Sequence, residues 1–252
     1  MSFRKIFISI TSILILTVVM FYFWNNWNKY NRIPNVIIQT YYDKTKIPEK
    51  VWSNIKRYAK NYKHLVYDDK ECYNFILKEY GEKYANVFNH LIKGAHKADL
   101  FRYCYLYKYG GIYLDIKTEL IKNIEDIFSN KYSGYTVISK NSNQIYQGII
   151  ATVPNRKIFK ILIEHIVSSS QNITNYHIFT EKFYDELKIY NKQSPVTGRN
   201  SSWYLFQEKC IQKDNKKVQV LCKDGLDRYG YCCYVYDNGS PIIKTRYPDF
   251  PW

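Results

Sequence analysis

Asp99, Arg102, Asp115 and Lys117 fall in one short stretch, KADLFRYCYLYKYGGIYLDIKTEL, residues 97–120. Asp99 and Arg102 stand three apart on a pattern that predicts a helix, so a carboxylate and a guanidinium share one face. Such a pair is ordinarily a surface ion pair. Here the helix is otherwise apolar and aromatic, and it runs into Gly110-Gly111 and the apolar run Ile112, Tyr113, Leu114. Asp115 is therefore expected at the end of a buried strand. If that strand continues, alternation puts residues 115, 117 and 119 on one face. A fixed acceptor, Asp99, and a fixed donor, Arg102, suit the hydroxyls of a sugar. Acids at a strand end suit a divalent cation that neutralises a departing diphosphate. Lys117 is the anomaly, an ammonium where such a site would carry its second acid.

Elements that position these residues are legible as periodicity and punctuation. Strands are predicted at 36–38, 64–69, 112–116, 135–139 and 149–153 from β-branched and aromatic runs. Helices are predicted at 48–60, opened by Pro48, at 72–80, closed by Gly81, and at 83–109, with Gly94 as a break. Further helices are expected at 158–168 and 180–190. Asp69 is read as the N-cap that follows the second strand. A Gly-, Asn- and Asp-rich tail carries short β-like pieces, VQVLC and CCYVYD. Strands alternating with helices imply an α/β class with a mainly parallel sheet flanked by helices, and ligands at the carboxyl ends of its strands.

The 252 residues, 46% hydrophobic and 18% aromatic, suffice for one domain with a substantial core. The formal charge of +15 is spread along the chain without a nucleic-acid motif, so it reads as a lysine-rich solvated surface and no nucleic-acid partner is expected. Residues 1–5 hold Arg4 and Lys5, and residues 6–24 form an uncharged apolar run ending in Phe21, Tyr22, Phe23, Trp24. A span needs about 20 helical residues, and an aromatic belt replaces a cleavage site. The run is read as an uncleaved transmembrane helix, with a cleaved signal peptide as the alternative. Residues 25–32 are a polar linker and 33–252 the domain. The expected topology is single-pass type II, with the domain lumenal or extracytoplasmic. All six cysteines lie beyond the run, four of them between 210 and 233, where disulfides would staple the tail.

The central segment resembles the DXD-containing sugar-binding region shared by yeast outer-chain α-mannosyltransferases and clostridial glucosylating toxins. Ala98, Asp99, Arg102, Tyr103, Leu106, Gly110, Gly111, Tyr113 and Asp115 match that pattern in register. Upstream, IPNVIIQTYY is similar to the family's opening, with Ile38 for His and Tyr41 for Trp; SPVTGR, residues 194–199, is similar to a later element. The resemblance implies a GT-A-like, Rossmann-type fold preceded here by the transmembrane helix, and a retaining transfer of a hexose from a nucleotide sugar to a glycan or glycolipid. It implies that Gln39, Thr40, Tyr41 and Asp115 border the nucleotide, that Asp99 and Arg102 hold the donor sugar, and that Asp115 holds ribose or a metal. Gln147 and Gly148 are candidates for the acceptor side. Lys117 departs from the pattern and leaves two readings of the cofactor open. Mn2+ or Mg2+ is retained on Asp115 with a further ligand such as Glu119 or Asp237, or the ammonium itself serves the diphosphate. A catalytically inactive carbohydrate-binding descendant is the rival from another class.

Overall fold

Alternation in the short central strands decides which residues meet. Ile37, Ile112, Ile149 and Ala151 enter one hydrophobic core, whereas Ile38, Tyr113 and Ile150 enter another on the opposite face. A sheet buried on both faces by apolar strands is what these β-branched runs require.

The computed structural model describes residues 13–22, 32–141, 143–173, 175–190, 203–212 and 231–246. Two units separate, Met1–Arg32 and Ile33–Trp252. In the first, residues 13–22 form helix α1, whose large apolar side chains from Ile13 to Tyr22 are exposed. No helix among the described residues is long and apolar enough to cross a membrane; the remainder of the run 6–24 lies outside them.

The second unit runs β1 (Val36–Thr40), α2 (Glu49–Tyr58), β2 (Lys63–Tyr67), α3 (Asp69–Tyr80), α4 (Glu82–His90), α5 (Gly94–Tyr109), β3 (Gly111–Leu114) and β4 (Glu119–Leu120). There follow α6 (Ile124–Ile127), β5 (Gly134–Ile138), β6 (Ile145–Thr152), α7 (Lys157–Ser169), α8 (Ile178–Tyr190), β7 (Trp203–Gln212), β8 (Tyr231–Asp237) and β9 (Ser240–Lys244). Sheet order is β2-β1-β3-β6-β5-β7-β8-β9-β4. The class is α/β as expected, but the sheet is mixed. Parallel pairing joins β1 to β2 and β3, and β5 to β7, while β6 runs antiparallel to both its neighbours and β7, β8, β9 and β4 are antiparallel in turn. Hairpin connections in the second half override the βαβ alternation on which the parallel expectation stood.

Several boundaries shift for local reasons. Asp68, not Asp69, caps α3: its carboxylate accepts from the Glu71 amide at 2.8 Å while Glu71 returns a bond to the Asp68 amide at 3.0 Å. That reciprocal box satisfies two orphan donors at once, which Asp69 could not do. Strand β3 stops at Leu114, and residues 115–118 form a turn closed by the Thr118 amide on the Asp115 carbonyl at 2.9 Å. The expected continuous face at 115, 117 and 119 is thus replaced by a turn, and Glu119 belongs to a separate strand paired with β9. A disulfide, Cys210–Cys233, ties β7 to β8, and Cys72 and Cys104 are buried thiols. SPVTGR, VQVLC and Cys222 lie outside the described residues.

Helix α5 is buried continuously from Asp99 to Leu106 and packs against α7, α4 and α3. It hands the chain to β3 through Gly110 and Gly111, both at positive φ (65° and 107°). A Cβ at 110 would stand 2.7 Å from the Thr152 carbonyl oxygen, and one at 111 would stand 2.9 Å from that of Val36. Only glycine makes the turn and lets the strands close. Gly110→Ala or Gly111→Ala is expected to cost about 3 kcal/mol, from left-handed strain plus collision. A lowered urea midpoint at unchanged slope is the readout.

Candidate active site at the ends of the central strands

Arg102 is the hub. Buried at 4% exposure on α5, its guanidinium lies over the Tyr113 ring at 4.3 Å and donates to the Gln147 carbonyl, while Nε donates to the Ala98 carbonyl at 3.0 Å. Its NH2 nitrogen stands 3.4 Å from Asp99 Oδ1 and 3.6 Å from Asp115 Oδ1, bridging the two acids. Asp115 Oδ2 in turn faces Lys117 Nζ at 3.5 Å. The turn at 115–118, rather than strand alternation, brings that ammonium back over the carboxylate.

Two backbone features hold Asp115 in place. Its amide donates to the Gly148 carbonyl at 2.7 Å, and its carbonyl accepts from Gln39 Nε2 at 3.2 Å. Gln39 is itself fixed, since Oε1 accepts from His64 Nε2 at 2.7 Å. Burial lowers the His64 pKa to about 4, so that ring is neutral at physiological pH. Gly148 leaves the space Asp115 needs: a Cβ there would meet Asp115 Oδ2 at 2.8 Å and the Tyr146 hydroxyl at 2.5 Å.

Two cavities join on these side chains. One, of about 430 Å³, is walled by Thr40, Tyr41, Tyr42, Asp69 and Phe88. The other, of about 480 Å³, extends past Gln147 to Glu208, Lys244 and Arg246. Arg102, Asp115 and Lys117 line both. The expected residues are therefore gathered at one place, with Gln39 behind it: fully buried, Gln39 borders neither cavity. The Thr40 hydroxyl and that of Tyr113 are 3.0 Å apart, and Tyr41 packs on Tyr42. Gln147, 4% exposed, lines the larger cavity with neither amide atom completing a hydrogen bond. Lys140, Glu208, Lys244 and Arg246 were not anticipated. Strand β9 carries Lys244 to the cleft, and no local pattern announces a strand pairing of that range.

The charges are set by burial and by one another. Removal from water pushes Asp99 up to about 6, against the opposing pull of Arg102 and His96. Burial also acts to raise Asp115, but Lys117 and Arg102 outweigh it and hold that carboxyl below its ordinary value. Asp99 and Asp115 thus titrate apart, one poised near neutrality and one firmly ionised.

The resemblance implies a divalent metal on Asp115; among the described residues, no cluster with ligand spacing includes that carboxylate, and neither Glu119 nor Asp237 lines the two cavities. Both oxygens of Asp115 face protein cations, and Arg102 stands between Asp115 and Asp99. Glu119 lies 4.0 Å from the Lys244 ammonium, and Asp237 accepts from the Tyr204 hydroxyl at 2.5 Å beside a separate cavity. Among the described residues, Glu208, Cys210 and Cys233 are the one cluster with ligand spacing, and there the two sulfurs are joined as a disulfide.

Residues 48–134 match the family model described as glycosyltransferase sugar-binding region containing DXD motif. The chain is 24% identical to an uncharacterized glycosyltransferase of Acanthamoeba polyphaga mimivirus over 228 residues, covering 84% of this chain and 86% of that protein. It is 23% identical to inositol phosphoceramide mannosyltransferase 2 of Schizosaccharomyces pombe, covering 85% and 70% respectively. Initiation-specific alpha-1,6-mannosyltransferase of Candida albicans is 32% identical over 133 residues, 44% of this chain and 34% of that protein. A solved structure, PaToxG glycosyltransferase, aligns at TM-score 0.48 and 17% identity over 71% of this chain and 80% of its own.

Because the Asp99 carboxyl is near 6 folded and near 3.8 in the open chain, the folded state binds the extra proton between those values. Stability from this group is therefore lost as pH rises from about 4 to 6. Asp99→Asn, which cannot ionise, should match wild type near pH 4 and exceed it by about 3 kcal/mol at pH 7. Paired melting curves across that range test the sign.

Proposed function

We propose that this chain, which carries a glycosyltransferase sugar-binding region, moves a hexose from a nucleotide sugar to a glycan or glycolipid with retention at the anomeric carbon. The observation that carries the reading is the junction of two cavities on Asp99, Arg102, Asp115 and Lys117. The smaller, walled by aromatic side chains, fits a nucleoside; Thr40, Tyr41 and Asp115 border it. The larger accommodates the donor sugar beside Asp99 and Arg102, and the acceptor beyond Gln147 and Gly148.

In this reading Asp99 accepts from a sugar hydroxyl, the Arg102 NH2 group donates to the sugar, and the Gln147 amide offers a donor and an acceptor. The bond from the anomeric carbon to the β-phosphate oxygen breaks, leaving its electron pair on that oxygen. A new bond forms to the acceptor hydroxyl oxygen, whose proton passes to the departing phosphate. Water is kept from the reacting carbon by the depth at which Asp99 and Arg102 lie. Two of the relatives are named as mannosyltransferases, one of them an inositol phosphoceramide mannosyltransferase, which supports a hexose donor and a lipid-borne acceptor.

Membrane anchorage belongs to the same reading. Helix α1 presents a continuous exposed apolar surface, and the uncharged run 6–24 around it has the length of a span. The domain is then lumenal or extracytoplasmic, a setting in which the Cys210–Cys233 disulfide persists. In sealed vesicles the protein should resist alkaline carbonate extraction, with residues beyond 32 protected from protease. Release of a soluble form starting near residue 25 would overturn the anchor.

Activity is tested by nucleotide release from a panel of nucleotide sugars, with yeast-type glycolipids and mannosides as acceptors. Asp115→Asn removes one oriented charge at unchanged shape, and transfer should fall about a hundredfold, worth roughly 3 kcal/mol. Asp99→Asn should cost a similar factor while raising stability above pH 6, a combination that an incidental core residue would not give. Full transfer by both variants would end the assignment.

A further inference from the structure

Asp115 sits where the two cavities join, and protein cations already answer both of its oxygens: the Arg102 guanidinium on one, the Lys117 ammonium on the other. A magnesium-type ion asks for near-octahedral oxygen ligands at about 2.1 Å, its charge met by carboxylates. An ion on Asp115 Oδ2 would instead stand against an ammonium 3.5 Å from that same oxygen. Asp99, the next carboxylate along the cleft, is reached only across Arg102. The larger cavity is moreover cationic in balance, with Arg102, Lys117, Lys140, Lys244 and Arg246 set against Asp99, Asp115 and Glu208.

We propose that side-chain cations take the place of the divalent metal in this protein. Lys117, with Arg102 beside it, holds the diphosphate of the donor and meets the charge that the diphosphate gains on leaving. The inference rests on the nucleotide-sugar reading above. Lys117 suits the task because its side chain is partly exposed at the junction of the two cavities, while Asp115 orients it from behind. An ammonium is a compact point charge with three donors, able to serve oxygens of a phosphate and of Asp115 together. Arg102, locked by the Gln147 and Ala98 carbonyls and by Tyr113, contributes a charge that cannot move away. Fixed cations cost no reorganisation as the leaving group develops its charge.

The experiment measures binding, not turnover. The full chain in detergent is titrated with UDP and with GDP by calorimetry, in EDTA and in manganese. Manganese alone is followed by its electron-spin resonance signal. At least one nucleoside diphosphate should bind equally well in both conditions, and wild type should leave the manganese signal unchanged. Lys117→Ala should weaken that binding about thirtyfold at unaltered melting temperature, the loss of one charge-assisted contact. Lys117→Arg should restore most of it. Lys117→Asp should bind manganese and make nucleotide binding depend on it. Manganese-dependent binding by wild type, or a Lys117→Ala form that binds as wild type does, would overturn the proposal and leave the donor reading standing. Absence of binding to either nucleotide in every condition would sink both.

Discussion

A guanidinium buried in the middle of a helix must have its charge answered on every side. Arg102 is answered by two carboxylates, two backbone carbonyls and the face of an aromatic ring. Those five partners come from four places: Asp99 and Ala98 from α5 itself, Tyr113 from β3, Asp115 from the turn after it, Gln147 from β6. Losing Asp115, the carboxylate that stays ionised, would strand that charge away from water, which costs several kcal/mol. The requirement therefore fixes the relation of helix to strands at the atoms where ligands would bind, and packing around α5 follows from it.

That constraint carries its own cost. Buried ion pairs are commonly no better for stability than well-packed apolar side chains. Asp99, held near 6 by lack of water, shows the unfavourable side. A helix so apolar around its circumference would gain by replacing both charges with hydrocarbon. Their presence at the bottom of a cleft, with an amide at Gln147 completing no hydrogen bond beside them, is better explained by what enters the cleft than by folding.

How much of this was legible in the sequence depends on range. Asp99, Arg102, the glycine pair and Asp115 lie on consecutive elements, so spacing alone brings them together. The 115–118 turn was not legible, because a strand and a turn differ there by a single backbone hydrogen bond, from Thr118 to Asp115. Asp69 took the cap from Asp68 in the reading for the same reason: adjacent acids are equivalent until Glu71 chooses between them. The mixed sheet is not legible, because strands alternating with helices imply parallel pairing, whereas β5 is followed directly by its antiparallel neighbour β6. The cationic far wall was invisible for a different reason. Lys244 reaches the cleft because β9 pairs with β4, and a pairing partner distant in sequence leaves no periodic trace.

The partnership of β4 with β9 has a consequence for the order of events in the cell. Strand β4 is two residues long, Glu119 and Leu120, and its neighbours in the sheet are Lys244 and Ile243. Tyr146 likewise finds the Thr245 carbonyl at a separation of 99 residues. Translation at about 5–20 residues per second leaves the aspartate-bearing loop waiting for some seconds before its far wall is made. During that interval α5 and β3 can dock, since their contacts are local, but the cleft stays open along one side. Closing so long a loop is entropically dear and comes late. A nascent chain thus assembles its aspartate-bearing half first and acquires its cationic rim as one of the final acts of folding.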